Sequence, residues 1–282
     1  MTLIIVAIDF SKTSLHALDY AINVANSTKA DVMMVWVDNQ TSNESIFSDG
    51  GCEVREDSKR NFEELLEQRR GRLANGKLIY KLRKGKVYFE IAQQARLHKA
   101  DLIVAGTHGV TGFEEFWIGS NAYRIVINAP CPVITVRHQF DLNKKIQKIV
   151  LPIDNTRNTI QKVPYIARVA RSFNAEVHIL ALYSTVIMAI RNKVDIAAND
   201  AKKLMEKLKV KCILESMIVE NVTQCTLNYA SKIDAELISI MTEQETTEAN
   251  ILLGEYARQM VNNSPIPVLS IHPNEIWTFE KR

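Results

Sequence analysis

No two of the four cysteines (Cys52, Cys131, Cys212 and Cys225) are spaced C-x-x-C, and none stands with histidines at zinc-finger spacing. This argues against a zinc finger, and free thiols in a reducing compartment are the simplest account. Cys131, between two prolines beside an apolar run, is expected in a core. No apolar run approaches the roughly 18 residues that cross a bilayer. The apolar start of the chain stops at Asp9, without a basic region or cleavage site, and is expected to be a strand rather than a signal peptide. A cytoplasmic location follows as an expectation. An excess of one charge is also missing: the formal net charge of +3 is too small to imply nucleic acid or an anionic membrane as partner. The most basic stretch, 69–86, reads as a solvated face. Finally, there is no G-x-x-x-x-G-K-[ST] and no G-x-G-x-x-G after a strand, which argues against a P-loop NTPase and a dinucleotide enzyme.

What is present is a chain of 282 residues, 46% hydrophobic and 24% charged, enough for two cores. It repeats. Shifted by 145 residues, 4–37 falls on 149–182 without a gap: Ile4/Ile149, Ile8/Ile153, Asp9/Asp154, Tyr20/Tyr165, Val24/Val169 and Ala30/Ala175 are identical. Shifted by 135, 101–136 falls on 236–271, where Gly119/Gly254, Pro130/Pro265 and Pro132/Pro267 coincide. The change of offset means that the second copy is ten residues shorter in between, and the polar stretch 38–56 is the expected place. The domains are read as 1–137 and 148–272, with 138–147 as linker.

Each copy alternates strands and helices. In the first, 3–8 is a continuous apolar run, as a strand buried on both faces requires. Leu15, Leu18, Ile22 and Ala25 form one stripe of a helix over 13–26. Strands follow at 32–37, 77–82, 102–105 and 133–136, with helices at 56–73, 87–98 and 119–128. This pattern predicts an α/β fold: two tandem, doubly wound, five-stranded parallel-sheet domains with right-handed crossovers. Met33, Met34, Met188 and Met205 read as core filler.

In such sheets a ligand sits at the carboxyl ends of the strands where the strand order reverses. The first strand leads into Asp9-Phe10-Ser11; the fourth leads into Gly106-Thr107-His108-Gly109 and then, through a loop, into Gly119-Ser120-Asn121 opening a helix. The spacing is G-x2-G-x9-G-S. Gly106 and Gly109 are expected to turn with positive φ and approach a ligand closely. Gly119 and Ser120 are expected to present bare N–H groups at a helix N-terminus, which favours phosphate. In the second copy Met241, Gln244 and Glu255 replace the first glycine, the second glycine and the serine, so that half is expected not to hold phosphate through this loop.

Asp9, the run Asp101-Leu102-Ile103-Val104, the G-x2-G-x9-G-S signature and Ala129-Pro130-Cys131-Pro132-Val133 together resemble the universal stress protein family, over nearly all of the first copy and more weakly over the second. The resemblance implies a Rossmann-like fold and an ATP-binding regulatory protein of the stress response. ATP, or AMP or ADP, would arrive with Mg²⁺. It implies that Asp9 meets the ribose-phosphate region, that Val37 offers backbone groups to adenine, and that Gly106, His108, Gly109, Gly119, Ser120 and Asn121 hold phosphates, with Ala7, Ser11 and Ala105 beside them. It further implies pairing of the two copies through their last strands as an intrachain pseudo-dimer, with further homodimer association and an unnamed protein partner. The chain departs from the family pattern at Phe10, where glycine is frequent, at Glu114 and Glu115, and at Asn121. Other readings are an interaction scaffold without nucleotide, and slow hydrolysis or other chemistry on an adenylate.

Overall fold

A computed structural model describes residues 1–39, 50–107, 119–156, 158–242, 244–246 and 251–273. The chain separates into two compact units, Met1–His138 and Gln139–Arg282.

The first unit runs β1 (Leu3–Ile8), α1 (Lys12–Thr28), β2 (Asp31–Asp38), α2 (Gly50–Arg69), β3 (Leu78–Lys84), α3 (Val87–Leu97), β4 (Leu102–Gly106), α4 (Ser120–Asn128) and β5 (Val133–Val136). Its strands pair in parallel in the order β3-β2-β1-β4-β5. Ile4, Ile5 and Val6 of β1 and Leu102, Ile103 and Val104 of β4 are fully buried. Each such side chain contributes about 1.5–3 kcal/mol on leaving water, so these short apolar runs anchor the sheet. Helix α1 starts where Ser11 accepts from the Ser14 N–H at 3.1 Å and stops where Lys29 turns left-handed at φ 55°. The strand order changes direction between β1 and β4, which opens a crevice at their carboxyl ends.

The second unit runs β6 (Lys148–Ile153), α5 (Val163–Phe173), β7 (Glu176–Tyr183), α6 (Met188–Lys207), β8 (Cys212–Ile218), α7 (Val222–Lys232), β9 (Leu237–Met241), β10 (Gln244–Thr246), β11 (Ile251–Leu253), α8 (Glu255–Asn263) and β12 (Val268–Ile271). Its parallel order β8-β7-β6-β9-β12 repeats the first, and β10 and β11 add a small antiparallel ribbon. The repeat extends to the joints. Asp101 accepts from the Thr2 hydroxyl at 2.7 Å, and its counterpart Glu236 accepts from the Gln147 and Lys148 amides at 2.9 and 2.8 Å. Asn174, the counterpart of Lys29, ends α5 in the same left-handed conformation.

Three expectations need correction. The ten-residue shortening is divided. The second unit has seven fewer residues between β7 and α6 than the first has between β2 and α2, four fewer before β8 than before β3, and one more before α7 than before α3. Helix α2 begins at Gly50 rather than 56, because the buried Phe62 and Leu65 tie it to its unit more strongly than its two leading glycines weaken it. Met188 is 64% exposed at the start of α6, beside exposed Val186 and Ile187, whereas Met33, Met34 and Met205 are buried.

Candidate functional site

The register fixes what meets at the carboxyl edge of the first sheet. Ala7 lies level with Val35 and Ile8 with Trp36, so Asp9, just past β1, comes level with Val37, which is still paired with Arg83 of β3. Val6 lies level with Val104, so Ala105 and Gly106 flank Ala7 and Ile8 from the other side. The crevice between β1 and β4 thus gathers Ala7, Asp9, Ser11, Val37, Ala105 and Gly106. Ala105 and Val37 are buried floor; Asp9 is exposed.

Asp9 and Ser11 build the rim. Asp9 Oδ1 accepts from the Ser11 N–H at 3.0 Å, and Ser11, not Asp9, caps α1. Ser14 locks this turn: its hydroxyl accepts from the Asp9 N–H at 3.3 Å and donates to the Ser11 carbonyl at 3.1 Å. Phe10, between them, holds φ 61°, a backbone region costly for a bulky residue. Its ring is anchored against Phe62 of α2, centroids 4.9 Å apart, and Phe62 stacks on Tyr80 of β3 at 4.7 Å.

Two glycines have reasons other than those expected. Gly106 does not turn with positive φ. A Cβ there would stand 2.7 Å from Thr13 Cγ2 and 2.9 Å from the Thr13 carbonyl oxygen, so Gly106 is required by the first turn of α1 packing on the end of β4. Gly119 caps α4 without a side chain, but its own N–H is spent on the Thr107 carbonyl. The free donors of α4 are therefore the amides of Ser120, Asn121 and Ala122, which meet no acceptor among the described residues. Ser120 and Asn121 are exposed, and no acidic residue occupies the first turn. Such an end attracts anions. His108, Gly109, Glu114 and Glu115 lie outside the described residues. The sequence reading missed Thr107, a buried residue whose carbonyl sets the height of Gly119.

The second unit keeps the rim and changes the rest. Asp154 Oδ1 accepts from the Thr156 N–H at 3.2 Å and the Thr156 hydroxyl at 2.7 Å, and Thr159 stands where Ser14 did. The helix start differs. Pro164, the counterpart of Asp19, has no N–H and crowds the carbonyl four residues back. Residues 158–163 consequently close through i to i+3 bonds, Gln161 N–H to Asn158 O at 2.9 Å and Val163 N–H to Ile160 O at 3.1 Å, and α5 begins only at Val163. Met241 fills the place of Gly106 and is buried. Glu255 begins α8, its carboxylate drawn along the helix onto Arg258 at 2.7 Å and Gln259 at 2.7 Å, which holds it below the usual range.

A pocket of about 30 Å³ remains there, lined by Pro152, Asp154, Thr156, Lys162, Met241, Gly254, Tyr256 and Ala257. Lys162 is only 3% exposed. Burial drives its amine down to about 8, and nearby Asp154 only partly offsets this. The sequence reading passed over Lys162. The available signal was its counterpart, the buried Ala17 on the inward stripe of α1.

Comparisons with known proteins bear on both units. The profile of the universal stress protein family matches residues 1–137 and again 145–272. A universal stress protein of Methanocaldococcus jannaschii is 34% identical over 137 residues, 48% of this chain and 81% of that protein. YxiE, a universal stress protein of Bacillus subtilis, is 28% identical over 145 residues, 47% of this chain and 97% of that protein. The crystal structure of a universal stress protein from Archaeoglobus fulgidus superposes with a TM-score of 0.80 at 15% identity, covering 96% of this chain and 98% of that one, a likeness of fold.

Proposed function

The chain belongs to the universal stress protein family, and from that premise we propose that its first unit is a regulatory nucleotide receptor which holds ATP, or AMP or ADP, in the crevice between β1 and β4. The phosphates rest on the Ser120, Asn121 and Ala122 amides. The ribose lies at Asp9, adenine meets the backbone at Val37, and Mg²⁺ accompanies the phosphates. One observation carries this reading: the first turn of α4 is uncapped and uncharged, with Ser120 and Asn121 exposed, whereas the matching turn of α8 carries Glu255 and lines a pocket with Met241. Several amide contacts at about 0.3–1 kcal/mol each, together with a buried base, are needed to reach the roughly −8 kcal/mol of a micromolar ligand.

The regulatory part of the reading requires that nucleotide distinguish two states of the chain by differential affinity. Two measurements test the proposal. Denaturing the purified protein and resolving the released small molecules should yield an adenine nucleotide. Calorimetric titration of the full chain with Mg-ATP should show one site. A nucleotide-free preparation that takes up no Mg-ATP refutes the reading and favours a scaffold.

A further inference from the structure

The second unit contains a buried ammonium without a direct ion pair: Asp154, on the same pocket, acts on it only through space. Lys162 Nζ donates to the Thr159 carbonyl at 2.8 Å and to the Thr159 hydroxyl at 3.2 Å, both neutral, and makes no ion pair among the described residues. A buried ammonium is costly unless it is paired. It lines a pocket whose other wall is the start of α8, where Gly254 supplies no side-chain cap and the Glu255, Tyr256 and Ala257 amides meet no acceptor among the described residues. A buried cation and the uncapped start of α8 thus line one cavity.

The other groups around the cavity do not supply the missing acceptor. Asp154 is its carboxylate: Oδ1 accepts from Thr156, and its charge tempers the Lys162 ammonium without touching it, so an anion here must be held by Lys162 and the helix amides against that carboxylate. Tyr256 reaches the Thr226 hydroxyl at 3.4 Å, and burial raises its phenol above the ordinary value. Cys225, on α7 behind Tyr256, has its thiol raised by burial too, so neither group offers an anion near neutrality. Glu255, which heads α8, is paired with Arg258. We propose that this pocket is a binding site for one small oxyanion, held between the Lys162 ammonium and the first-turn amides of α8.

Size selects the ligand class. A water needs about 10–15 Å³ of such space, so about 30 Å³ leaves room for a group of a few heavy atoms, such as one tetrahedral oxyanion. Met241 and Tyr256 replace Gly106 and Asn121 of the first unit and take up the rest. The two units then differ in kind: a nucleotide crevice in one, an inorganic anion pocket in the other. The inference stands independently of the nucleotide reading.

The test uses the full chain carrying Ser120→Glu, which places a carboxylate on the first unit's anion site, and reads binding of sulfate and of inorganic phosphate by calorimetry and by thermal unfolding. Both anions should bind and raise the melting temperature. Adding Lys162→Met, or Lys162→Gln where the first variant folds poorly, should weaken both at least tenfold. Sulfate stays a dianion from pH 6 to 9.5, so its affinity should stay level below pH 8 and fall about tenfold per pH unit above it, as Lys162 loses its proton. The proposal is overturned if the Ser120→Glu chain binds neither anion, if removing Lys162 leaves the affinity unchanged, or if sulfate binds equally at pH 7 and 9.5. Binding of one anion but not the other, with the Lys162 dependence intact, identifies which oxyanion fits.

Discussion

Replacing Ser120 by glutamate transfers to the first unit the charge that opens α8 in the second. The Ser120 side chain is exposed and makes no hydrogen bond among the described residues, so the exchange removes no packing. An acid in the first turn suits the helix dipole and should stabilise the unit by about 0.3–1 kcal/mol, a rise in melting temperature of about 1–4 °C. The same carboxylate would lie about 5 Å from a phosphate on the α4 amides, where each unit of charge is repelled by about 0.8 kcal/mol in bulk water and about 3 kcal/mol at a protein surface. In the second unit Arg258 sits one turn beyond Glu255; in the first that place is Tyr123, so the new charge lacks the close partner that tempers Glu255. Arg124, one residue further on, lies over the Tyr88 ring at 5.5 Å and is worth only about 0.3–0.5 kcal/mol as a helical partner. The net loss of ATP binding should be about 2–3 kcal/mol, or 30- to 150-fold. Calorimetry gives the affinity and thermal unfolding the stability. A more stable protein that binds Mg-ATP as tightly as the parent would refute the argument, because the phosphates would then rest elsewhere.

Other consequences can be measured on single variants. Gly106→Ala forces a methyl group against the Thr13 backbone and should cost about 1–3 kcal/mol in urea denaturation; an unchanged midpoint would show that the contact is slack. In sulfate- and phosphate-free buffer, stability should rise with pH between about 8 and 10.5, because the unfolded chain still holds the Lys162 proton there while the folded chain has released it. The full swing is about 3 kcal/mol, and Lys162→Met should abolish it. Phe62→Ala should cost about 3–5 kcal/mol, since Phe62 is fully buried between Phe10 and Tyr80. Phe10→Gly should change stability by less than about 1 kcal/mol, because relief of its left-handed backbone offsets the lost ring contact; a larger loss would show that the ring outweighs the strain.

Strands were read most accurately where burial on both faces leaves an uninterrupted apolar run: β1 and β5 match the expected bounds, and β4 differs by one residue. Helix starts were harder. The Gly50-Gly51 pair looks like a turn, and only the distant contacts of Phe62 explain a helix through it. Pro164 was visible, but the gapless match of 149–182 to 4–37 hid its effect on the start of α5. At the site, the residues on the crevice edge were legible because topology alone puts them there. The reasons for individual residues were not. The contact that Gly106 avoids comes from Thr13, ninety-three positions away, and the partner of the Gly119 amide is a backbone carbonyl, which no side-chain pattern reveals. Lys162 escaped notice because lysine ordinarily belongs to the surface, and burying it depends on a three-dimensional cavity.

The contact between Thr13 and Gly106 also makes any interconversion of the two halves a matter of ordered, interdependent changes. Restoring glycine at Met241 alone would leave a hole, because Pro164 holds the preceding coil in tight turns that do not advance to fill it. Removing Pro164 alone would urge a full helical turn onto a methionine already in its path. Each step costs stability unless the other has been taken, so the pair is strongly non-additive. An engineer seeking two equal receptors in one polypeptide should therefore transplant the coil and the strand end together, as a single cassette, rather than correct the signature letter by letter.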